Sequence, residues 1–197
     1  EIDFSEDVKI YDKINDLFIN TDEIKYDVKN QIISSESHSQ IKDKLNNIYK
    51  VKEFNYSIKE KVIKLSELKV LDANGNTFIV DIAFLDLIKN ELIAKDIGIN
   101  FKISKNSENE PRLKGRGLIN NKKETVVNKG TFTFCKKRDK CPPWEMGAEE
   151  IIHDKEKKII KYKNANLKIY DKKVFYFPKF FHPDPTVERQ TGFLIPK

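Results

Sequence analysis

Apolar and polar residues alternate strictly in short runs along most of this chain, and polar turns separate the runs. That pattern restricts the fold more than any other feature. Ile24, Tyr26 and Val28 fall on one face, and Glu23, Lys25 and Asp27 on the other. Phe78, Val80, Ile82 and Phe84 alternate in the same way, as do Ile97, Ile99, Phe101 and Ile103. Phe132 falls with Phe134, and Trp144 with Met146 and Ala148. A period of two is the mark of a half-buried strand, and β-branched and aromatic residues favour it. Asn74-Gly75 is a strong hairpin signal. Lys29-Asn30, Asn46-Asn47, Lys89-Asn90 and Asn120-Asn121 are weaker ones.

The runs also repeat. Residues 23–33 (EIKYDVKNQII) are echoed by 53–63 (EFNYSIKEKVI), more loosely by 83–93, and again by 150–160. A period of about thirty residues suits stacked units that bury their faces on one another. Two stretches carry helical spacing: Ile41, Leu45, Ile48 and Val51, and Leu85, Ile88 and Leu92. The turn signals and the repeat favour strand-turn-strand in both, with a short helix near 85–95 as the alternative. Residues 104–117, with Pro111, Gly115 and Gly117, read as a long loop or irregular crossover. The whole predicts an all-β domain of about fifteen short strands.

Composition narrows the function. The net charge is +6, but 37 basic residues are interleaved with 31 acidic ones. That is a solvated two-sign surface, unlike the one-sided basic face of a nucleic-acid binder. The chain starts with Glu and has no signal sequence, so it reads as a fragment or a mature form. Cys135 and Cys141, with a polar spacer, suit a disulfide closing a hairpin loop, with two unpaired thiols as the alternative. No further Cys or His stands at ligand spacing, so no metal site is expected. No phosphate loop, dinucleotide fingerprint, nucleophile elbow or zinc-protease motif appears, and neither an enzyme nor a cofactor is expected. What remains is apolar area. Candidates for lining an inner face are Tyr26, Tyr56, Phe78, Val80, Phe101, Phe132, Phe134, Trp144, Met146, Tyr162, Ile169 and Tyr176. Each of them also suits an ordinary packed core. The run containing Val8, Ile10, Leu17 and Ile19 opens the stack with no repeat before it, and so offers an unpaired strand edge.

The last third is the most distinctive stretch. Cys135 and Cys141 are followed by Pro142-Pro143-Trp144, then Ala148-Glu-Glu-Ile-Ile-His153-Asp154 and Asn164-Ala165. Val174-Phe-Tyr-Phe-Pro178, His182-Pro-Asp-Pro185 and Arg189-Gln-Thr-Gly192-Phe-Leu-Ile-Pro196 close it. In that order these blocks resemble the LptD family of lipopolysaccharide-assembly proteins (organic-solvent-tolerance proteins), where the N-terminal periplasmic domain meets the first barrel strand. The resemblance implies an open, twisted antiparallel β-jellyroll of the OstA-like kind over 1–178. It further implies a proline-rich linker over 179–197, leading to an outer-membrane β-barrel. It implies a protein at the periplasmic face of the outer membrane that guides the lipid A part of lipopolysaccharide along a hydrophobic groove. The implied partners are a periplasmic bridge protein, LptA, adding a strand at the N-terminal edge, and the lipoprotein plug LptE through the barrel. The family also joins this domain to its barrel by disulfides, so partners for Cys135 and Cys141 outside these residues stay open. Rival readings are a bridge protein of the LptA or LptC type, and a β-solenoid that binds or acts on polysaccharide.

Overall fold

The computed structural model describes residues 2–72, 75–102, 110–135, 143–170, 172–185 and 187, with the side chains of Glu110 and Cys135 left aside. The disulfide expected between Cys135 and Cys141 therefore lies outside the described residues, as does most of the expected linker.

Among the described residues fourteen strands form one antiparallel sheet. They are β1 (Ile2–Asp12), β2 (Leu17–Asp27), β3 (Ile32–Ser35), β4 (Ser39–Lys42), β5 (Ile48–Val51), β6 (Glu53–Ser57), β7 (Val62–Leu71), β8 (Thr77–Asp86), β9 (Glu91–Asn100), β10 (Glu110–Asn120), β11 (Glu124–Cys135), β12 (Trp144–Asp154), β13 (Ile159–Ile169) and β14 (Lys172–Pro183). From β7 onward each strand pairs with the next. β3 and β4 both pair with β2, and β5 and β6 both pair with β7, so each of these short pairs acts as one strand broken in the middle. The path is a simple up-and-down meander, which excludes a solenoid. β1 and β14 are its two edges, and the sheet does not close into a barrel.

Every long strand bends near its middle. In β7 the buried residues Ile63 and Leu65 have odd numbers, while Leu68 and Val70 have even ones. The same phase slip occurs in β8 between Val80 and Ala83, and in β9 between Ala94 and Ile97. One extra residue has entered the alternation at each bend, as in a β-bulge. Glu67, Asp96, Lys129 and Asn164 sit at such bends with positive φ on β7, β9, β11 and β13. By register these bends line up across the sheet: Glu67 lies beside Asp81, Asp81 beside Asp96, and Lys129 beside Glu149. The column folds the sheet into two arms that face each other, which gives the open jellyroll. It also corrects one detail of the sequence reading. Phe78 and Val80 point inward, but the bend turns Ile82 and Phe84 outward.

Two glycines make the bend tight. A Cβ on Gly115 would lie 2.1 Å from Val127 Cγ1, and one on Gly130 would lie 2.7 Å from Ile151 Cδ1. Gly115 therefore marks close packing within β10, not the loop that its sequence context suggested. β10 begins at Glu110, and of the expected loop 104–109 lies outside the described residues. Both stretches with helical spacing are strand-turn-strand: β4 and β5 flank one turn, and β8 and β9 the other.

The turns share a chemistry. Asp12 Oδ1 accepts from the backbone of Ile14 and Asn15, Asp27 from Lys29 and Asn30, and Asp86 from Ile88 and Lys89. These are Asx-turns, in which a short carboxylate replaces backbone partners. The residue that closes the loop has positive φ at Asp16, Gln31, Lys61, Asn90 and Lys158. The four sequence repeats are hairpins on one arm, β2–β3, β6–β7, β8–β9 and β12–β13. Backbone bonds join the turns on this arm: Ile58 N to Gln31 O and Leu87 N to Lys61 O between repeats, and Lys155 N to Lys123 O from the last repeat to the β10–β11 turn.

Candidate functional site

The inner faces of the two arms pack into one continuous core. It holds Tyr56, Phe78, Val80, Phe101, Phe132, Met146 and Tyr162, all nearly inaccessible. Tyr26, Phe134 and Trp144 are half-buried. Ile169 and Tyr176 differ. They are 42% and 58% exposed. Tyr176 falls on the outer face, beside the core-packed Phe177, while Ile169 lies opposite Trp144 at the last position of β13 and is left outside the cavity. Of the residues expected at the N-terminal edge, Val8 and Ile10 lie on β1, an edge strand. Leu17 and Ile19 lie on β2, which pairs with β1 on one side and β4 on the other, so they are core.

The lips of the fold, opposite the bend, are closed by polar contacts from arm to arm. Tyr56 Oη donates to Asp12 Oδ2 at 2.6 Å and accepts from Asn15 Nδ2 at 3.3 Å. Burial, and then the hydrogen bond to Asp12, push the Tyr56 phenol well above its ordinary pKa. Tyr49 is held in the same way by Asp43 within one arm, at 2.6 Å.

At the β14 end the arms meet through aromatic residues and leave a space between them. Phe132 packs 6.4 Å from Tyr162 and 5.0 Å from His182, ring centre to ring centre, and Phe101 packs 5.5 Å from His153. Beside this contact lies a cavity of about 470 Å3. Phe132, Phe134, Trp144 and Met146 line it from one arm. Phe180, His182, Pro183, Asp184, Pro185 and Val187 line it from the other arm and the segment beyond. Its walls are aromatic and aliphatic, and its polar groups are already engaged. His182 Nε2 accepts from Tyr162 Oη at 2.7 Å, and its Nδ1–H faces Pro183 O. Burial holds the His182 imidazole below its ordinary pKa, which keeps it neutral and able to accept. An apolar cavity of this size matches chain-like hydrocarbon better than a sugar or a nucleotide.

Sequence reasoning missed what holds the segment after β14. Asp184 is 5% exposed, and its carboxylate bonds to the ring of His153. Asp184 N donates to Lys158 O at 2.9 Å, the same turn-to-turn bond made by Ile58, Leu87 and Lys155. The repeat of 150–160 predicted a turn there, but nothing in local spacing pointed from His153 to a partner 31 residues on. β14 itself runs to Pro183, past residue 178.

Among the described residues no group of three or more His, Cys, Asp or Glu is placed to hold a metal ion. Among the described residues no helix is long and apolar enough to cross a membrane. No family model matches the chain. Over 72 residues, 36% of its length, the chain is 39% identical to the LPS-assembly protein LptD of Yersinia pestis and of Yersinia pseudotuberculosis. Over the same length it is 35% identical to LPS-assembly protein LptD of Escherichia coli. The aligned part is 9% of each of these relatives, so the chain covers under a tenth of their length. It is an LptD-related all-β domain over the part that aligns.

Proposed function

We propose that this domain handles the lipid part of lipopolysaccharide during its assembly at the outer membrane, on the periplasmic side, as a conduit without catalysis. The observation that carries the reading is the apolar cavity between the arms at the β14 end. The 72-residue relation to proteins named for LPS assembly supports it. An acyl chain entering the cavity meets Phe134 and Trp144 first, because these are half-buried, and then Phe132 and Met146, which are not accessible. Each methylene removed from water there stabilises the complex by about 0.8 kcal/mol. Past the cavity the interior is packed, so passage along its length requires the arms to part at the lips. Tyr56 and Asp12 hold them at one end of the sheet, and Phe132 and His182 at the other.

The free edge of β1 supports a partner adding a strand. On this reading the partner is a periplasmic bridge protein of the LptA type, and β14 leads toward a barrel and its lipoprotein plug, LptE. A photocrosslinking residue at Phe134 or Trp144 in the full-length protein tests the conduit. Lipopolysaccharide adducts are expected at both positions and not at Lys64 or Lys95 on the outer face. Equal labelling of inner and outer positions removes the reading.

A further inference from the structure

The face of the sheet turned away from the core carries a second apolar feature. By register Phe84 on β8 lies beside Ile93, Ile93 beside Ile119, Ile119 beside Val126, and Val126 beside Ile152. The row continues through Lys161 to Phe181 on β14. Phe84, Ile93 and Ile119 are all exposed. At about 4.8 Å between strands, the apolar part of the row, from Phe84 to Ile152 across five strands, is about 19 Å long before Lys161 interrupts it. That is more contiguous apolar surface than scattered exposed residues give.

The row ends in a cavity of about 490 Å3 on β12–β14, floored by Ile152, Ile159 and Phe181. Lys157, Lys161, Lys163 and Lys179 rim it, with Glu150 as the one acidic lining residue. Lys161 is paired with Asp154 at 3.0 Å. Lys157, Lys163 and Lys179 have no carboxylate within salt-bridge distance among the described residues. Phe181 is 59% exposed, and Val174 and Tyr176 extend the outer line of the edge strand with Lys172 and Lys173 beside them.

We propose that this outer face of β12–β14 docks on the surface of a bilayer containing anionic phospholipid. The lysine ammonium groups would meet phosphates, while Phe181, Ile159 and Ile152 enter the boundary between head groups and chains. Lysine stems lie along apolar surface and keep their charges at the rim, so this mixture of residues suits that boundary. The excess of unpaired cations favours an anionic surface over a neutral one. The length of the row favours an extended surface over one bound molecule. The site shares Phe180 with the cavity between the arms, but its lysines and Phe181 line only the outer one, so variants at those residues test the proposal apart from lipid passage.

Vesicle co-sedimentation tests it, using the chain with phosphatidylcholine vesicles, with and without phosphatidylglycerol. Binding is expected only with phosphatidylglycerol, and glycerol phosphate at equal phosphate concentration is expected not to compete. Each basic residue near an anionic surface contributes roughly fivefold, so K157E/K163E/K179E is expected to weaken binding on the order of a hundredfold. Phe181→Ser is expected to weaken it without any change of charge. K64E/K95E, on the outer face but outside the lysine rim, is expected to change binding little. Loss of binding as large in that control, no effect of the triple variant, or no binding to anionic vesicles overturns the proposal. Competition by glycerol phosphate would assign a soluble phosphate site in its place.

Discussion

The ring of His153 on β12 is hydrogen-bonded to the carboxylate of Asp184, one residue beyond the end of β14, and both side chains are buried. The bond places the start of the following segment over the end of the sheet, in the position that a further turn of the repeat would occupy. Pro183 and Pro185 flank Asp184, so the chain leaves the sheet at this point.

Asp184→Ala removes the carboxyl partner of a buried imidazole. The expected loss is about 1–3 kcal/mol of unfolding free energy in urea, the cost of leaving a buried polar group unsatisfied. A His153→Gln/Asp184→Ala double variant is expected to lose less than the sum of the two singles. Strict additivity would mean that the two residues act separately.

The bends give a prediction of opposite sign. Lys129 is exposed and has φ 49°, in the left-handed region where any side chain is strained. Lys129→Gly is expected to stabilise by about 1 kcal/mol, and Lys129→Val to destabilise by a similar amount or more. Gly115→Ala, whose Cβ would overlap Val127, is expected to cost about 1–3 kcal/mol. A neutral Gly115→Ala would mean that the two arms are not folded this tightly.

These bends mark where the sequence was legible and where it was not. Alternation and turn residues identify the strands, because each depends on neighbours one or two positions away. The Asx-turns were also readable. Asp12-x-x-Asn15 and Asp27-x-x-Asn30 recur with one strand between them, and Asp43 closes on Asn47 one residue further along. The phase slip at Val80–Ala83 was not readable. A bulge adds one residue without any required residue type, and Ile82 and Phe84 continue the alternation on the wrong face. The site was half legible for the same reason. Phe132 and Phe134 follow the slip of β11, Trp144 and Met146 precede that of β12, and the four gather at the cavity; the slip in β14 turns Tyr176 outward, and Ile169 is exposed because β13 ends there.

Acid is expected to weaken the fold in two stages. His182 has its pKa lowered from 6.5 by burial, so the unfolded chain takes up its proton first. The stability held by neutral His182 is complete above pH 6.5 and falls as pH drops below it. Asp27 and Asp154 have carboxyls held below 3.8 by turn hydrogen bonds, from Asn30 and from Lys157 and Lys161. Their contribution is present above pH 3.8 and is lost only below it. Urea midpoints measured from pH 8 to pH 3 check the order. His182→Gln is expected to remove the upper stage and leave the lower one, and persistence of the upper stage would assign it to another group.

Trp144 reports directly on what the cavity between the arms accepts. It is the only tryptophan in the chain, it is half-buried, and its ring lies 6.3 Å from Phe132 across the cavity wall. A fatty acid brominated along its chain quenches an indole only at contact, so quenching locates the chain and not merely the head group. Saturable quenching of Trp144 is expected with a long-chain brominated acid, and little with a short-chain one, because burial scales with methylene count. Phe134→Asp places a charge at the half-buried rim and is expected to abolish the quenching while the far-UV spectrum stays that of a β-sheet. Phe132→Asp is not a substitute, since Phe132 is 2% exposed and a charge there is expected to prevent folding. Asp184→Ala frees one wall of the cavity and is expected to raise the apparent affinity if the closed segment competes with the chain. Quenching that grows linearly with lipid and never saturates, or that survives Phe134→Asp unchanged, would mean that the cavity takes no acyl chain.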